Sequence, residues 1–124
     1  MVTERAHGDA MMHEMHLFEE PFDLIAQGKK TVEVRLYDDK RKKVSIGDVI
    51  AFKRLPDNVE EIRCEVVGLS MFRSFKDLFQ AFDAPRFGHP ESITIDEQIE
   101  RMRDVYSEEA EKANGVLGIH IRRI

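Results

Sequence analysis

The run Gly28-Lys29-Lys30-Thr31-Val32-Glu33-Val34-Arg35 constrains this chain most, because a glycine turn leads straight into an alternating segment that is charged on one face only. Side chains two apart on a strand share a face. Val32, Val34 and Leu36 therefore point together into apolar packing. Thr31, Glu33 and Arg35 point the other way, with Lys30 at the mouth of the strand. The segment reads as a central strand carrying a polar cluster. Lysine, glutamate and arginine held this closely either neutralise one another as a structural network or meet a polar ligand, since buried charges are tolerated only when paired.

The rest of the chain supplies partners for that strand. Residues 1–10 carry little periodicity and read as a flexible tail, leaving 11–124 as a single domain. His13, Met15 and Leu17 alternate with Met12, Glu14, His16 and Phe18, the pattern of a first strand. Glu20-Pro21 opens a helix with Phe22, Leu24 and Ile25 on its buried side and Gly28 as its stop. Residues 38–45 form a charged connection, Gly47-Asp48 turns the chain, and 49–54 read as a strand. Pro56-Asp57-Asn58 then returns 60–69 as its partner.

Ser74 is placed to cap a short helix carrying Phe75, Leu78, Phe79 and Phe82. Pro85, Gly88 and Pro90 mark a loop. Thr94-Ile95-Asp96-Glu97 has capping-box spacing for a longer helix, whose apolar stripe is Ile95, Ile99, Met102, Val105 and Tyr106. A short acidic helix runs from Ser107 to the stop at Asn114-Gly115, and 116–123 form the last strand. Helices that interrupt strands without a repeated βαβ unit favour an α+β, barrel-like domain over a doubly wound sheet.

With 124 residues, 42% of them apolar and 35% charged, the chain can bury one core. No apolar run is long enough to span a bilayer and no secretory leader is visible, so the expectation is a soluble cytoplasmic protein with no membrane partner. The lone cysteine, Cys64, sits among Ile62, Val66 and Val67 and reads as a packed thiol in a reducing compartment.

A formal net charge of −5 argues against indiscriminate coating of nucleic acid. The charge is unevenly spread, however. Residues 28–54 hold nine basic against four acidic side chains, whereas residues 83–114 hold nine acidic against four basic. The molecule is expected to be a dipole whose basic lobe steers a phosphorylated ligand. The cluster at 40–43 is open to two readings, a solvated hairpin or an RNA contact.

Other constellations are weaker. His13 and His16 fall on opposite faces of a strand, which disfavours a shared metal, and no metal or cofactor is expected. His120, between Ile119 and Ile121, suits a hydrogen-bonded structural histidine. Phe72, Phe75, Phe79 and Phe82 read as core more than as a stacking platform. Tyr37 and Tyr106 are better candidates for ligand contact, since each ends a charged element and carries a polar tip.

Glycine, lysine, threonine, glutamate and arginine in this order, the Ile46-Gly47-Asp48-Val49 turn, and the closing Gly115-Val116-Leu117-Gly118-Ile119-His120-Ile121 resemble the ASCH domain of the PUA-like superfamily. The likeness covers residues 12–124, and its opening motif is G-x-K-x-x-E-x-R. It implies a small mixed β pseudo-barrel with flanking helices and a cleft that takes RNA or nucleosides. Some relatives of this family hydrolyse N4-acetylcytidine. In those relatives the motif lysine activates a threonine three residues later, and a glutamate in the loop before the long helix acts as acid. Lys30 matches that lysine and Glu91 that glutamate, but Glu33 stands at the nucleophile position, with Thr31 one step away. A carboxylate is a poor acyl acceptor, although it can serve as a base toward water.

Two functions follow. In the first, a binding module uses Lys30, Glu33, Arg35, Arg73 and Tyr106 to read a base or ribose in RNA or a free nucleoside or nucleotide. In the second, an amidohydrolase acts on acetylated nucleosides, with Glu33 activating water, Lys30 stabilising the oxyanion and Glu91 donating a proton.

Overall fold

The computed structural model describes residues 10–124. Of the expected tail, only Ala10 falls within them, exposed and outside any helix or strand; the remainder lies outside the described residues. Five strands form one curled sheet in the order β1-β3-β4-β5-β2. They are β1 (Met12–Leu17), β2 (Val32–Leu36), β3 (Val49–Arg54), β4 (Glu61–Phe72) and β5 (Val116–Arg123). β1 runs parallel to β3, and the other neighbours are antiparallel. Four α-helices accompany the sheet: α1 (Glu19–Ala26), α2 (Phe75–Ala81), α3 (Ile95–Arg103) and α4 (Glu108–Asn114). The domain is a mixed α+β half-barrel, the fold class expected from the sequence.

The sheet separates two apolar clusters. Met15, Leu17, Phe22, Ile25, Ile50 and Phe52 belong to the one that fills the curl under α1, together with Leu117, Ile119 and Ile121. Val32, Val34, Leu36 and Val116 pack on the other side against Phe75, Leu78 and Phe79 of α2. β5 thus contributes to both clusters, as its near-continuous apolar run requires of a strand covered on two faces. Gly118 lies where Leu78 presses closest, since a Cβ there would stand 3.0 Å from Leu78 Cδ1. Each fully buried phenylalanine in these clusters contributes roughly 1.5–3 kcal/mol of transfer free energy.

β2 is an edge strand, contrary to its reading as a central one. Its apolar face looked central because α2 covers Val32, Val34 and Leu36 from outside. β4 runs three residues beyond the expected Leu69, because Ser70, Met71 and Phe72 pair with Gly118, Leu117 and Val116, contacts that local pattern does not reveal. A bulge between Val66 and Gly68 shifts its register. α3 opens with the expected capping box, but it stops at Arg103, so Val105 is exposed and Tyr106 follows the helix instead of ending its stripe. The stretch around Pro85 is a short 3-10 helix, Ala84–Phe87, ended by Gly88 at φ +83°.

No helix among the described residues is long and apolar enough to cross a membrane.

Candidate binding cleft

α1 and β2 are joined by a tight turn that aims Lys30. Gly28 adopts φ +74°, a conformation that suits glycine, and the amides of Lys29 and Lys30 both donate to the Leu24 carbonyl, at 2.9 and 3.1 Å. Thr31 is held on both sides: its amide donates to the Arg86 carbonyl at 2.9 Å, and its carbonyl accepts from the Ile121 amide at 2.9 Å. The lysine stem is pinned from above as well. A Cβ on Gly88 would lie 3.2 Å from Lys30 Cδ and 3.1 Å from Leu24 Cδ1.

Glu33 sits opposite Ile119 in the β2/β5 ladder, and Arg35 opposite Leu117, so both charged side chains leave the sheet on the side of the filled curl. Glu33 is only 4% exposed. Lys30 Nζ lies 2.8 Å from its Oε1, and Arg35 donates to its Oε2 from Nε at 2.8 Å and from Nη2 at 2.8 Å. Burial alone would raise the Glu33 pKa, but Lys30 and Arg35 outweigh it and hold the carboxylate at about 2. Burial likewise opposes the charge on Arg35, yet Glu33 and then Tyr106 raise its pKa. Arg35 Nη2 also reaches the His16 carbonyl on β1, at 3.3 Å, across the seam where the two sheet edges face each other.

Tyr106 completes this end of the cluster. Its ring stacks on Phe75 with centroids 5.9 Å apart, and its hydroxyl lies against the Arg35 guanidinium. Burial raises the phenol pKa against the opposing pull of Arg35. The structure therefore brings Lys30, Glu33, Arg35 and Tyr106 together. Glu91 and Arg73 are exposed, in the turn before α3 and between β4 and α2, and neither joins the ion pairs of the cluster. Thr31 lines a cavity of about 170 Å³ with Lys30, Cys64, Ile121 and Arg123, and Glu33, Arg35 and Tyr106 do not line it. Cys64 is fully buried, and burial pushes its thiol up to about 11.

In chemical terms, Glu33 is a carboxylate clamped on both oxygens. A group with both oxygens bridged to cations and a pKa near 2 is a weak base at neutral pH. It fixes the donors of Lys30 and Arg35 in space instead.

Three functional-looking side chains, His89, Glu111 and Ser70, carry no signal in the sequence. His89, beside Lys30, contacts Gln98 on α3, with Nδ1 2.9 Å from Gln98 Oε1. A buried Glu111 accepts from the Phe75 amide at 2.6 Å, capping α2, and from Arg103 Nη2 at 2.6 Å. Ser70 and His120 make a pair at 2.8 Å, but Arg86 Nη2 donates to His120 Nδ1 at 3.3 Å. That leaves the proton on Nε2, so the serine oxygen accepts from histidine, the reverse of what nucleophile activation needs. His120 keeps the hydrogen-bonded character expected of it. His13 and His16 part as expected, to Asp48 at 2.7 Å and to Asn58 at 2.9 Å. No group of three or more His, Cys, Asp or Glu side chains suited to a metal occurs among the described residues.

The sequence pattern of the ASCH domain matches residues 15–124. The chain belongs to the ASCH domain family. This ASCH domain is 35% identical to a hypothetical protein, PH0355, whose crystal structure superposes with a TM-score of 0.80 over 92% of this chain and 100% of that one. Protein PF0455 from Pyrococcus furiosus is 34% identical, with a TM-score of 0.73 over 92% and 98% of the two chains. The ASCH domain from Lactobacillus crispatus shares the fold, with a TM-score of 0.65 over 91% of this chain and 79% of that one, at 16% identity. No curated protein matches the chain.

Proposed function

We propose that this ASCH domain is a binding module for single-stranded RNA or for a free nucleoside or nucleotide, with Lys30, Glu33, Arg35 and Tyr106 as the recognition cluster. The observation that carries this reading is the clamped state of Glu33: both oxygens are held at 2.8 Å by cations. A carboxylate so engaged orients donors without taking up a proton. The donors left over on Lys30 and Arg35 suit carbonyl or phosphate oxygens, and Tyr106 offers an aromatic face with a polar tip. Arg73 serves as an outer contact for the ribose-phosphate chain. The exposed Lys40 and Lys42, in the connection after β2, extend the basic lobe along which a single strand approaches.

Calorimetric titration with a short single-stranded RNA and with cytidine, uridine, adenosine and guanosine tests this reading, run beside an assay for acetate release from N4-acetylcytidine. Saturable binding that Lys30→Met and Arg35→Met weaken, with no acetate released, is the expected result. Acetate release abolished by Glu33→Gln and weakened by Glu91→Gln would replace this reading with the amidohydrolase.

A further inference from the structure

His89 follows Gly88 on the segment that packs over the Lys30 stem, and its ring is half-buried against Phe79 and Phe87, at centroid distances of 5.7 and 6.1 Å. On its other side stands Gln98, 2% exposed, whose Oε1 is 2.9 Å from His89 Nδ1. A carbonyl oxygen only accepts, so this contact requires the proton on Nδ1. In a neutral imidazole the second nitrogen, Nε2, then carries a bare lone pair.

We propose that His89 is a further recognition group of the Lys30 cleft, fixed by Gln98 so that Nε2 accepts a hydrogen bond from an N–H or O–H of the bound nucleoside. The inference rests on the nucleoside or RNA reading of that cleft and deepens it. Lys30 and Arg35 supply only donors, the buried Glu33 oxygens already accept from them, and the Tyr106 hydroxyl is engaged by the Arg35 guanidinium. A base edge or a ribose presents donors as well as acceptors, so a site made of donors alone would leave ligand N–H and O–H groups unpaired. His89 supplies the missing acceptor, and Gln98 is its positioning residue.

The surroundings keep the ring neutral. The polar and charged groups acting on it are Gln98 and Arg101 on α3, Lys30 before β2 and Glu20 on α1. Burial lowers the imidazole pKa most, and Arg101 and Lys30 lower it further, against Gln98 and Glu20.

Nitrogen-15 spectra of the histidine rings in the full chain test the inference, first free and then titrated with cytidine, uridine, adenosine and guanosine and with the short single-stranded RNA. The free protein is expected to show His89 protonated on Nδ1, and Gln98→Leu to mix the two tautomers. At least one nucleoside should shift Nε2, and His89→Phe, which keeps the ring packing, should weaken that nucleoside about tenfold while the Lys30 and Arg35 responses persist. Protonation on Nε2 in the free protein overturns the inference. So does a nucleoside that perturbs Lys30 and Arg35, leaves Nε2 unmoved and binds His89→Phe equally well; that result spares the binding reading. If neither these four nucleosides nor the short single-stranded RNA perturbs any of these groups, both readings fall.

Discussion

Arg35 joins the two edges of the sheet: Nη2 donates to the His16 carbonyl on β1 at 3.3 Å while Nε holds Glu33 at 2.8 Å on its own strand. One side chain thus closes the seam of the half-barrel and neutralises a carboxylate buried inside it. Removing one partner of a buried pair leaves the other uncompensated, at a cost of about 3–5 kcal/mol. Lys30 still pairs with Glu33, so Arg35→Met should fall at the lower end, about 3 kcal/mol, read from urea unfolding. Adding Glu33→Gln to that variant should recover part of the loss. A change below about 1 kcal/mol for Arg35→Met would mean that the pair behaves like a surface one.

Glu33 also sets a pH dependence. Its folded pKa of about 2 lies below the ordinary glutamate value of 4.5, so the unfolded chain takes up its proton first as pH falls. The stabilisation is fully present above pH 4.5 and is lost progressively between there and about pH 2. Unfolding free energies measured across that window should fall for the wild type and fall less for Glu33→Gln. Equal slopes in the two proteins would contradict the clamped carboxylate.

Gly88→Ala probes the same cleft without touching a charge. Gly88 and Gly47 both sit at positive φ, +83° and +93°, so an alanine at either should cost about 1 kcal/mol in backbone strain. Only at Gly88 does the new Cβ meet Lys30 and Leu24; at Gly47 it meets nothing within 4 Å. Nucleoside affinity should drop several-fold in Gly88→Ala and stay unchanged in Gly47→Ala, as measured by calorimetry. Equal affinities would show that the position of Lys30 is immaterial to binding.

Much of this was legible in the chain because it is local. The alternation from Val32 to Leu36 fixes which side chains share a face, and the Thr94 to Glu97 spacing fixes where α3 begins. What was illegible depends on distant pairing. No pattern within β2 reveals that it lies at an edge, because its apolar face is covered by a helix some forty residues downstream. The full length of β4 is set by β5. A histidine between Gly88 and Pro90 carries no periodicity, and Gln98 becomes the partner of His89 only when α3 folds back. The one signal available is Gln98 itself, a polar residue at helical spacing from Ile95 and Met102 on the apolar stripe of α3.

Salt dependence separates steering from recognition. Lys40, Lys42 and Lys43 are exposed, with Lys42 4.0 Å from Asp39 and over the Tyr37 ring. If these three meet phosphates of a single strand, neutralising them should reduce the slope of log affinity against log salt by about 2, at roughly 0.7 per contact. Titrations between low and moderate salt check this. An unchanged slope would place the RNA path on another face.

The most direct measurement of the central claim is chemical-shift mapping of the full chain with the short single-stranded RNA and, separately, with each of the four nucleosides. Binding through the cleft predicts the largest perturbations at Lys30, Glu33, Arg35 and Tyr106, two of which lie on β2. Perturbations confined to another face, or none with any of these ligands, would contradict it.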